Sequence, residues 1–382
     1  MKSILLISSF AYPHTGGVEL FTYQIAKRFL LVGWNVTLIC LNTENSLPKE
    51  RVEGINYVRL PCFSIINKRL PFPKINHEFF NLAKEIIGIK FDFVILNVKF
   101  YILTLIGAWF SKIKKIPSIL IEHGSGHFDL NVRLFSLLGR LYEHVITFFV
   151  KITKVKFYGV SEAVNQWLLH FGVIASGVIY NGVESNYQPE ISASFRKTYK
   201  LPDDAIIVSY IGRLVEEKGV LQLKDAIQEL LVDYPNLYFI IAGDGPLKST
   251  LVKLPERIYY VGNIEHDHVF RLLQESNIFV LPTRMKEGLP TVVLEAGSQG
   301  CAIIATPSGG IKEVILNDRF GLLLEDSETQ TIKNALLLLI EHPEERLKRG
   351  ENLRKRVRDS FDWKISFDRL LNIVIGNSSN SE

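Results

Sequence analysis

The chain has 382 residues, of which 47% are hydrophobic and 22% charged, and its formal net charge is +4. This composition is typical of a globular protein with sizeable cores and excludes a disordered or collagen-like chain. Its three cysteines form no C-x-x-C pair, which argues against a zinc ribbon or a disulfide framework and indicates a reducing cytoplasm.

Short apolar runs rich in Val and Ile predict strands in both halves of the chain. The first half contains KSILLIS (2–8), NVTLICL (35–41), FDFVILN (91–97) and PSILIEH (117–123). The second half contains AIIVSYI (205–211), LYFIIAG (237–243), RIYYVG (257–262), NIFVLP (277–282) and CAIIAT (301–306). Amphipathic segments separate most of these runs, and one helical stripe consists of Val18, Phe21, Ile25 and Phe29.

Apolar strands that alternate with amphipathic helices predict an α/β protein with parallel sheets covered on both faces. Because the pattern occurs twice, we expect two Rossmann-like domains that face each other across a cleft. The irregular segment 184–202 places the boundary between them. The chain then ends in two helices, Glu344–Asp359 and Asp362–Ile375, and a frayed tail over 376–382.

The loops after the predicted strands hold the informative residues, because open parallel sheets bind ligands beyond the carboxyl ends of their strands. HTGGVE (14–19) follows the first strand, and Gly16 and Gly17 permit close approach of an anion to a helix N-terminus. A plain strand-to-helix turn explains the same glycines. The motif is not G-x-G-x-x-G, so no dinucleotide site is predicted.

A second motif, IEHGSGH (121–127), places histidines after a buried strand. His123 can donate to a substrate hydroxyl or serve as an acid or base, although backbone groups can equally satisfy it. His123 and His127 together suggest a metal site. No carboxylate or thiol near them in the sequence completes a ligand set, so no metal is predicted.

IGRLVEEKG (211–219) brings two cations to the loop after the first strand of the second half. Arg213 offers a fork that matches phosphate, and Lys218 offers a compact point charge. Together they can neutralise a diphosphate without a metal. The alternative is a solvated turn in which Glu216 and Glu217 are their partners.

The strongest signal is LPTRMKEGLPTVVLEAGSQG (281–300), which follows another predicted strand. Glu287 lies on the loop, and Glu295 lies in the second turn of the following helix. An acid within an apolar run needs a partner, and its carboxylate can accept hydrogen bonds from sugar hydroxyls. The proline is expected in the first helical turn, where amides are ready for phosphate. The candidate binding residues there are Gly288, Leu289, Pro290 and Thr291.

Basic residues concentrate in the first half of the chain. Residues 1–186 hold 20 Lys and Arg against 12 Asp and Glu, whereas residues 187–382 hold 24 against 28. A basic half favours an anionic partner such as a membrane surface or a lipid diphosphate, and a solvated surface is the alternative. No RNA-binding signature is present, so no nucleic acid partner is expected. Two clusters favour the membrane: Lys112, Lys114, Lys115 and Lys151, Lys154, Lys156.

In this order the motifs resemble those of the family 4 retaining glycosyltransferases, which have the two-domain GT-B fold. The resemblance covers nearly the whole chain. It rests on TGGVE, EHG, GVSEA (159–163), VIYNGV (178–183), GRLVEEKG, AGDGP (242–246) and EGLPTVVLE. It implies an N-terminal acceptor-binding domain of residues 1–185 with about 361–382, and a nucleotide-sugar-binding domain of residues 186–360. The last helix is expected to cross back to the N-terminal domain.

The resemblance also implies roles for the candidate residues. Arg213 and Lys218 are expected to bind the diphosphate of a nucleotide-sugar, and Glu295 its ribose hydroxyls. Glu287, with the backbone of Gly288 and Leu289, is expected to contact the donor sugar and phosphates. His123 is expected near the donor sugar, and Gly16 and Gly17 near the phosphates or the acceptor.

The implied reaction moves a sugar from a nucleotide-sugar, expected to carry UDP, to a glycan acceptor. The expected acceptor is a polyprenyl-diphosphate-linked intermediate of bacterial surface polysaccharide synthesis, such as O-antigen, lipopolysaccharide or capsule. Because the sequence contains no D-x-D string, no metal or other cofactor is expected. The expected location is the cytoplasm or the inner face of the plasma membrane. The alternatives are a same-fold epimerase, hydrolase or phosphorylase, a non-catalytic sugar-nucleotide-binding subunit and a membrane scaffold.

Overall fold

The computed structural model describes residues 1–12, 16–65, 70–127, 133–190 and 194–378. His14 and Thr15 of the HTGGVE motif lie outside the described residues. The chain divides into two compact units. The N-terminal unit contains Met1–Tyr180 and Ser366–Glu382, and the C-terminal unit contains Asn181–Ile365.

In the described part of the N-terminal unit, seven strands form one sheet in the order β3-β4-β2-β1-β7-β8-β9. All neighbours are parallel except β3, which runs antiparallel to β4 at the edge. A separate antiparallel pair consists of β5 and β6. The strands are β1 (Ser3–Ile7), β2 (Asn35–Leu41), β3 (Lys49–Val52), β4 (Ile55–Leu60), β5 (Cys62–Ile65), β6 (Leu70–Pro73), β7 (Phe93–Asn97), β8 (Ser118–Glu122) and β9 (Lys156–Gly159).

Helices cover this sheet, and the predicted stripe of the first one faces the core, where Phe21, Ile25 and Phe29 are buried. The helices are α1 (Gly17–Leu31), α2 (His77–Gly88), α3 (Ile102–Lys114), α4 (Arg133–Ile152) and α5 (Glu162–Leu169).

The C-terminal unit has a six-stranded parallel sheet in the order β12-β11-β10-β13-β14-β15, counted over its described residues. The strands are β10 (Ile206–Ile211), β11 (Leu237–Ala242), β12 (Ile258–Gly262), β13 (Ile278–Leu281), β14 (Ala302–Ala305) and β15 (Leu322–Leu323). The helices are α6 (Phe195–Thr198), α7 (Val220–Leu230), α8 (His266–Glu275), α9 (Thr291–Ser298), α10 (Ile311–Val314), α11 (Thr329–Glu341) and α12 (Pro343–Ser360).

The two units, each with a mostly parallel sheet and covering helices, confirm the predicted α/β class. Every predicted strand forms. The last helix, α13 (Trp363–Ser378), starts in the C-terminal unit and continues into the N-terminal unit. The prediction of a frayed tail from residue 376 is wrong for residues 376–378, because α13 continues through them. Residues 379–382 lie outside the described part.

In each unit the first strand of the parallel sheet lies centrally, and the chain order reverses beside it. Strand β1 lies between β2 and β7, and strand β10 lies between β11 and β13. The loops after the two neighbouring strands leave in opposite directions at such a point, which opens a crevice for ligands. The predicted motifs follow β1 and β8 in one unit and β10 and β13 in the other.

Candidate active site

The loop after β10 carries Arg213 and Lys218 at the reversal point of the C-terminal sheet. Arg213 is exposed, and its carbonyl oxygen accepts a hydrogen bond of 2.9 Å from the hydroxyl of Tyr210. The backbone N–H of Leu214 donates to the carbonyl of Asp244, at 2.9 Å. The GRLVEEKG loop is therefore tied to the AGDGP loop, which explains why both motifs occur together.

Lys218 and Glu287 come together from neighbouring strands. The Nζ atom of Lys218 forms an ion pair with Oε1 of Glu287. The same carboxylate oxygen lies 3.3 Å from the hydroxyl of Thr283, which donates to it. The structure thus joins two side chains that the sequence analysis predicted separately, and it places a carboxylate beside the ammonium group.

The PSGG turn (307–310) after β14 supports the loop that carries Glu287. Gly309 has φ +54°, and a Cβ atom there would lie 1.6 Å from the carbonyl oxygen of Glu287. The N–H of Gly310 donates to the carbonyl of Gly288, at 2.8 Å. Only glycine fits a left-handed position in such close contact, so this turn fixes the backbone of the EGLP segment.

Helix α9 begins at Thr291, and Pro290 is its N-cap residue, one position earlier than predicted. Pro290 is extended, with ψ 118°, so it precedes the first turn. Its side chain offers no acceptor to the first-turn amides, and an anion suits that end of a helix. The amide nitrogen of Asn181, in the VIYNGV motif, donates to the carbonyl of Leu289 at 2.7 Å and holds this entry in place.

Glu295 is buried in α9, and the partner that its apolar surroundings require is His266. The Nε2 atom of His266 lies 3.6 Å from Oε1 of Glu295. The carboxylate of Glu295 raises the pKa of His266, although burial opposes this effect. His266 is the first residue of α8, and no pattern in the sequence connected it to Glu295.

In the N-terminal unit the loop after β1 leads directly into α1, with Gly16 as the N-cap residue. A Cβ atom at Gly16 would lie 2.4 Å from a carboxylate oxygen of Glu19, in the first turn of the helix. A Cβ atom at Gly17 would meet no atom within 4 Å in the described part of the chain. Packing among the described residues therefore does not explain why position 17 is a glycine. A ligand contact at Gly17 stays a prediction.

His123 lies after β8 and bonds to the end of β7. Its Nε2 atom lies 3.0 Å from Oδ1 of Asn97, whose Nδ2 donates to the carbonyl of Ile7. Since Oδ1 of Asn97 accepts, Nε2 of His123 carries the proton and Nδ1 keeps the lone pair. Burial lowers the pKa of His123 to about 3, so the ring is neutral. With its Nε2–H occupied by Asn97, the neutral ring can accept a hydrogen bond through Nδ1.

The turn between β7 and α3 was missed by the sequence analysis. Val98 has φ +63°, a conformation that is costly for a β-branched residue and that clusters at functional sites. The next residue, Lys99, is fully buried, and its Nζ atom lies 3.8 Å from Oε1 of Glu122. Its N–H also donates to Oε2 of Glu122, at 2.8 Å. The available signal was a lysine directly after an apolar strand.

His127 has a carboxylate partner that sequence spacing did not reveal. Its Nδ1 atom lies 2.8 Å from Oε2 of Glu143, which is buried on α4. Glu143 is distant from His127 in the sequence and comes near it because α4 folds back against the loop after β8.

None of the helices in the described ranges combines the length and the apolar character needed to cross a membrane.

Comparison with known families identifies the class of protein. A family model described as glycosyl transferases group 1 matches residues 192–356, and one described as glycosyltransferase family 4 matches residues 15–187. The chain belongs to the family 4 glycosyltransferases, and it is a glycosyltransferase of the GT-B fold.

Particular relatives lie at moderate identity. An uncharacterized glycosyltransferase of Methanocaldococcus jannaschii is 27% identical over 97% of this chain and 99% of its own length. A GDP-mannose-dependent monoacylated alpha-(1-6)-phosphatidylinositol monomannoside mannosyltransferase of Corynebacterium glutamicum is 30% identical, over 49% of this chain and 51% of its own length. The crystal structure of Anabaena HepE with UDP and glucose has a TM-score of 0.74 at 18% identity, covering 98% of this chain and 100% of that one. This likeness concerns the fold.

Proposed function

We propose that the chain transfers a sugar, with retention of anomeric configuration, from a nucleotide-diphosphate sugar to a lipid-linked glycan acceptor. The observation that carries the proposal is the meeting of Lys218 and Glu287 at the reversal point of the C-terminal sheet, with Arg213 on the same loop as Lys218. Cations that neutralise a departing diphosphate lower the barrier to bond cleavage, because they act where negative charge develops.

The diphosphate is bound by Arg213, by Lys218 and by the amides at the start of α9. The guanidinium group supplies a fork for two phosphate oxygens, and the ammonium group supplies a point charge. Gly288, Leu289, Pro290 and Thr291 form the helix entry, whose positive end favours an anion. These groups supply the positive charge for the departing diphosphate, so the proposal needs no metal ion at this step.

The remaining contacts orient the donor. The carboxylate of Glu295 accepts hydrogen bonds from the ribose hydroxyls, and His266 holds that carboxylate in position. Glu287 contacts the sugar. Nδ1 of His123 accepts a hydrogen bond from a sugar hydroxyl, since its Nε2–H is occupied by Asn97.

Retention is assigned to attack on the same face from which the diphosphate leaves, with the leaving phosphate oxygen taking the acceptor proton. In the step the bond from the anomeric carbon to the phosphate oxygen breaks, and the bond to the acceptor oxygen forms. The proton of the acceptor hydroxyl moves to the phosphate oxygen, so no covalent intermediate on a carboxylate is needed.

We assign UDP as the nucleotide. The Anabaena structure of the same fold contains UDP, whereas the Corynebacterium relative is named for GDP-mannose, so the base requires a direct test. Lipid linkage of the acceptor is supported by the phosphatidylinositol monomannoside in that relative's name and by an exposed apolar face of the N-terminal unit.

Helices α3 and α4 expose an apolar face that would suit an anionic membrane surface. Lys112 donates from Nζ to the carbonyl of Ile152 at 2.9 Å, which joins the C-terminal ends of the two helices. Lysines cluster at the C-terminal ends of both helices, which complements anionic lipid headgroups. They are Lys112, Lys114 and Lys115 at the end of α3, and Lys151, Lys154 and Lys156 at or just after the end of α4. The exposed apolar residues are Ile106, Trp109, Ile113, Leu137, Leu138, Leu141, Val145, Phe148, Phe149 and Ile152.

The experiment is a transfer assay with a panel of UDP-, GDP- and ADP-sugars and a polyprenyl-diphosphate-linked acceptor, followed by NMR of the anomeric configuration. Transfer from a UDP-sugar with retention is the expected result. Release of free nucleotide and sugar without acceptor would point to the epimerase or hydrolase alternative. Donor binding without any turnover would point to the non-catalytic subunit.

A further inference from the structure

Three histidines of the N-terminal unit meet outside the candidate active-site residues. They are His127 after β8, His144 on α4 and His170 directly after α5. One ring nitrogen from each lies within 4.8 Å of the others. His127 is partly buried, whereas His144 and His170 are exposed. Three separate segments thus present imidazoles to one point at the surface.

The environment of His127 is that of a metal ligand. Its Nδ1 atom bonds to the buried carboxylate of Glu143 at 2.8 Å, so Nδ1 is the donor in this contact and Nε2 is the nitrogen that is left for a metal. A carboxylate on the distal nitrogen fixes the tautomer and raises the basicity of a metal-binding imidazole.

The other two rings contact aromatic neighbours. The ring of His170 stacks on Trp167 at 5.0 Å with an angle of 12° between the planes. The ring of His144 lies 4.6 Å from that of Phe171. Both rings therefore lie against aromatic side chains at the edge of the cluster, with His144 and His170 exposed to solvent.

The surrounding charges permit a cation. Lys99, whose ammonium group lies over the ring of Phe171 beside the cluster, forms a buried pair with Glu122, and Glu143 contributes a negative charge at the cluster itself. In tetrahedral zinc sites with Zn–N distances of about 2.1 Å, ligand nitrogens lie about 3.4 Å apart. Closing the present separations requires shifts of roughly 1.4 Å at most, which rotation of two exposed rings can supply.

We infer that His127, His144 and His170 bind one zinc ion, with a water molecule as the fourth ligand. The ion links α4 and α5 to the loop after β8, four residues from His123. Three imidazoles and solvent are a recognised zinc ligand set, and imidazole ligands exclude magnesium and calcium as preferred occupants. The site belongs to the N-terminal unit and takes no part in binding the diphosphate.

The test is titration of the chelator-treated full-length protein with zinc chloride by calorimetry. One zinc ion per chain and a raised Tm are expected. His144→Ala and His170→Ala should abolish both effects, and Glu143→Gln should weaken binding about 10- to 100-fold, because it removes the charge behind His127. His77→Ala, an exposed helical histidine of the same unit, is the matched control and should bind like the unmodified protein.

Replacement by Co²⁺ supplies a readout that needs no variant. The unmodified protein should give the strong visible absorption of four-coordinate cobalt with nitrogen and oxygen ligands. Absence of stoichiometric zinc binding, a six-coordinate cobalt spectrum, or unchanged binding in His144→Ala and His170→Ala would each overturn the inference.

Discussion

Lys218 and Glu287 form an ion pair although they lie 69 positions apart in the chain. The pair joins the loops after β10 and β13, the two strands at which the order of the C-terminal sheet reverses. The fold therefore holds an ammonium group beside a carboxylate at the point where an open sheet has room for a ligand. A diphosphate that enters there meets an ammonium group already in position.

Removal of either cation should slow the chemical step. Arg213→Ala and Lys218→Ala are each expected to lower kcat by about 10²- to 10³-fold, which is the usual effect of losing one donor to a developing anion. Lys224→Ala is the control, because that lysine pairs with Asp225 on α7. Steady-state kinetics with saturating donor would check this. Near-normal turnover in both variants would remove these residues from the site.

Glu295→Gln should raise the KM for the donor about tenfold or more, because hydrogen bonds to a charged group contribute roughly 1.5–3 kcal/mol. The change also removes the charge that raises the pKa of His266, so that pKa should fall towards its ordinary value in an NMR titration. Glu265→Gln is the control, because Glu265 is exposed and directly precedes His266 in the chain. An unchanged KM together with a shifted His266 pKa would assign Glu295 a structural role only.

The low pKa of His123 predicts a specific loss of stability in acid. The unfolded chain takes up a proton near pH 6.5, whereas the folded ring resists protonation until about pH 3. The free energy of unfolding should therefore decrease as the pH falls from 6.5 towards 3, and the full contribution is present above pH 6.5. Denaturant midpoints against pH would measure it. His123→Gln should lack this component, and a slope equal to that of the unmodified protein would contradict the assignment.

A charge on the exposed face of α4 should weaken membrane binding. Leu141→Glu and Phe148→Glu are expected to reduce sedimentation with anionic phosphatidylglycerol vesicles, because an acid opposes both apolar burial and the negative headgroups. Val232→Glu, an exposed apolar position of the C-terminal unit, should have no effect. If all three variants sediment with the vesicles as the unmodified protein does, the exposed face of α4 does not bind the membrane.

Transfer should persist in EDTA, because in the proposed mechanism cations of the chain neutralise the leaving group. The measurement is best made in parallel on His144→Ala, which lacks the inferred zinc site, so that loss of zinc is separated from loss of donor chemistry. Complete loss that magnesium or manganese restores in both proteins would contradict leaving-group stabilisation without a metal.

Nine strands of the two sheets were predictable because they read as continuous apolar runs, whereas β3, β4, β9 and β15 were not predicted. Strand β4 was missed because INYVRL includes Arg59, whose buried guanidinium pairs with Glu50 on β3. The position of each motif after a strand was likewise predictable, since strand ends determine it. The pairing of His266 with Glu295 and the histidine cluster were not, because they depend on how separate helices pack, and no local spacing encodes that packing.

The side-chain contact of Asn181 bears on where the chain can be cut to isolate its C-terminal unit. Its side chain braces Leu289 beneath the entry to α9, yet it lies five residues ahead of the boundary expected from the sequence. Ser185 similarly holds Asp362 near the far end of the same unit. A truncated protein of residues 186–360 would lack both contacts. Weak nucleotide binding by it would then reflect the missing side-chain amide of Asn181 rather than a defect in the phosphate-binding residues.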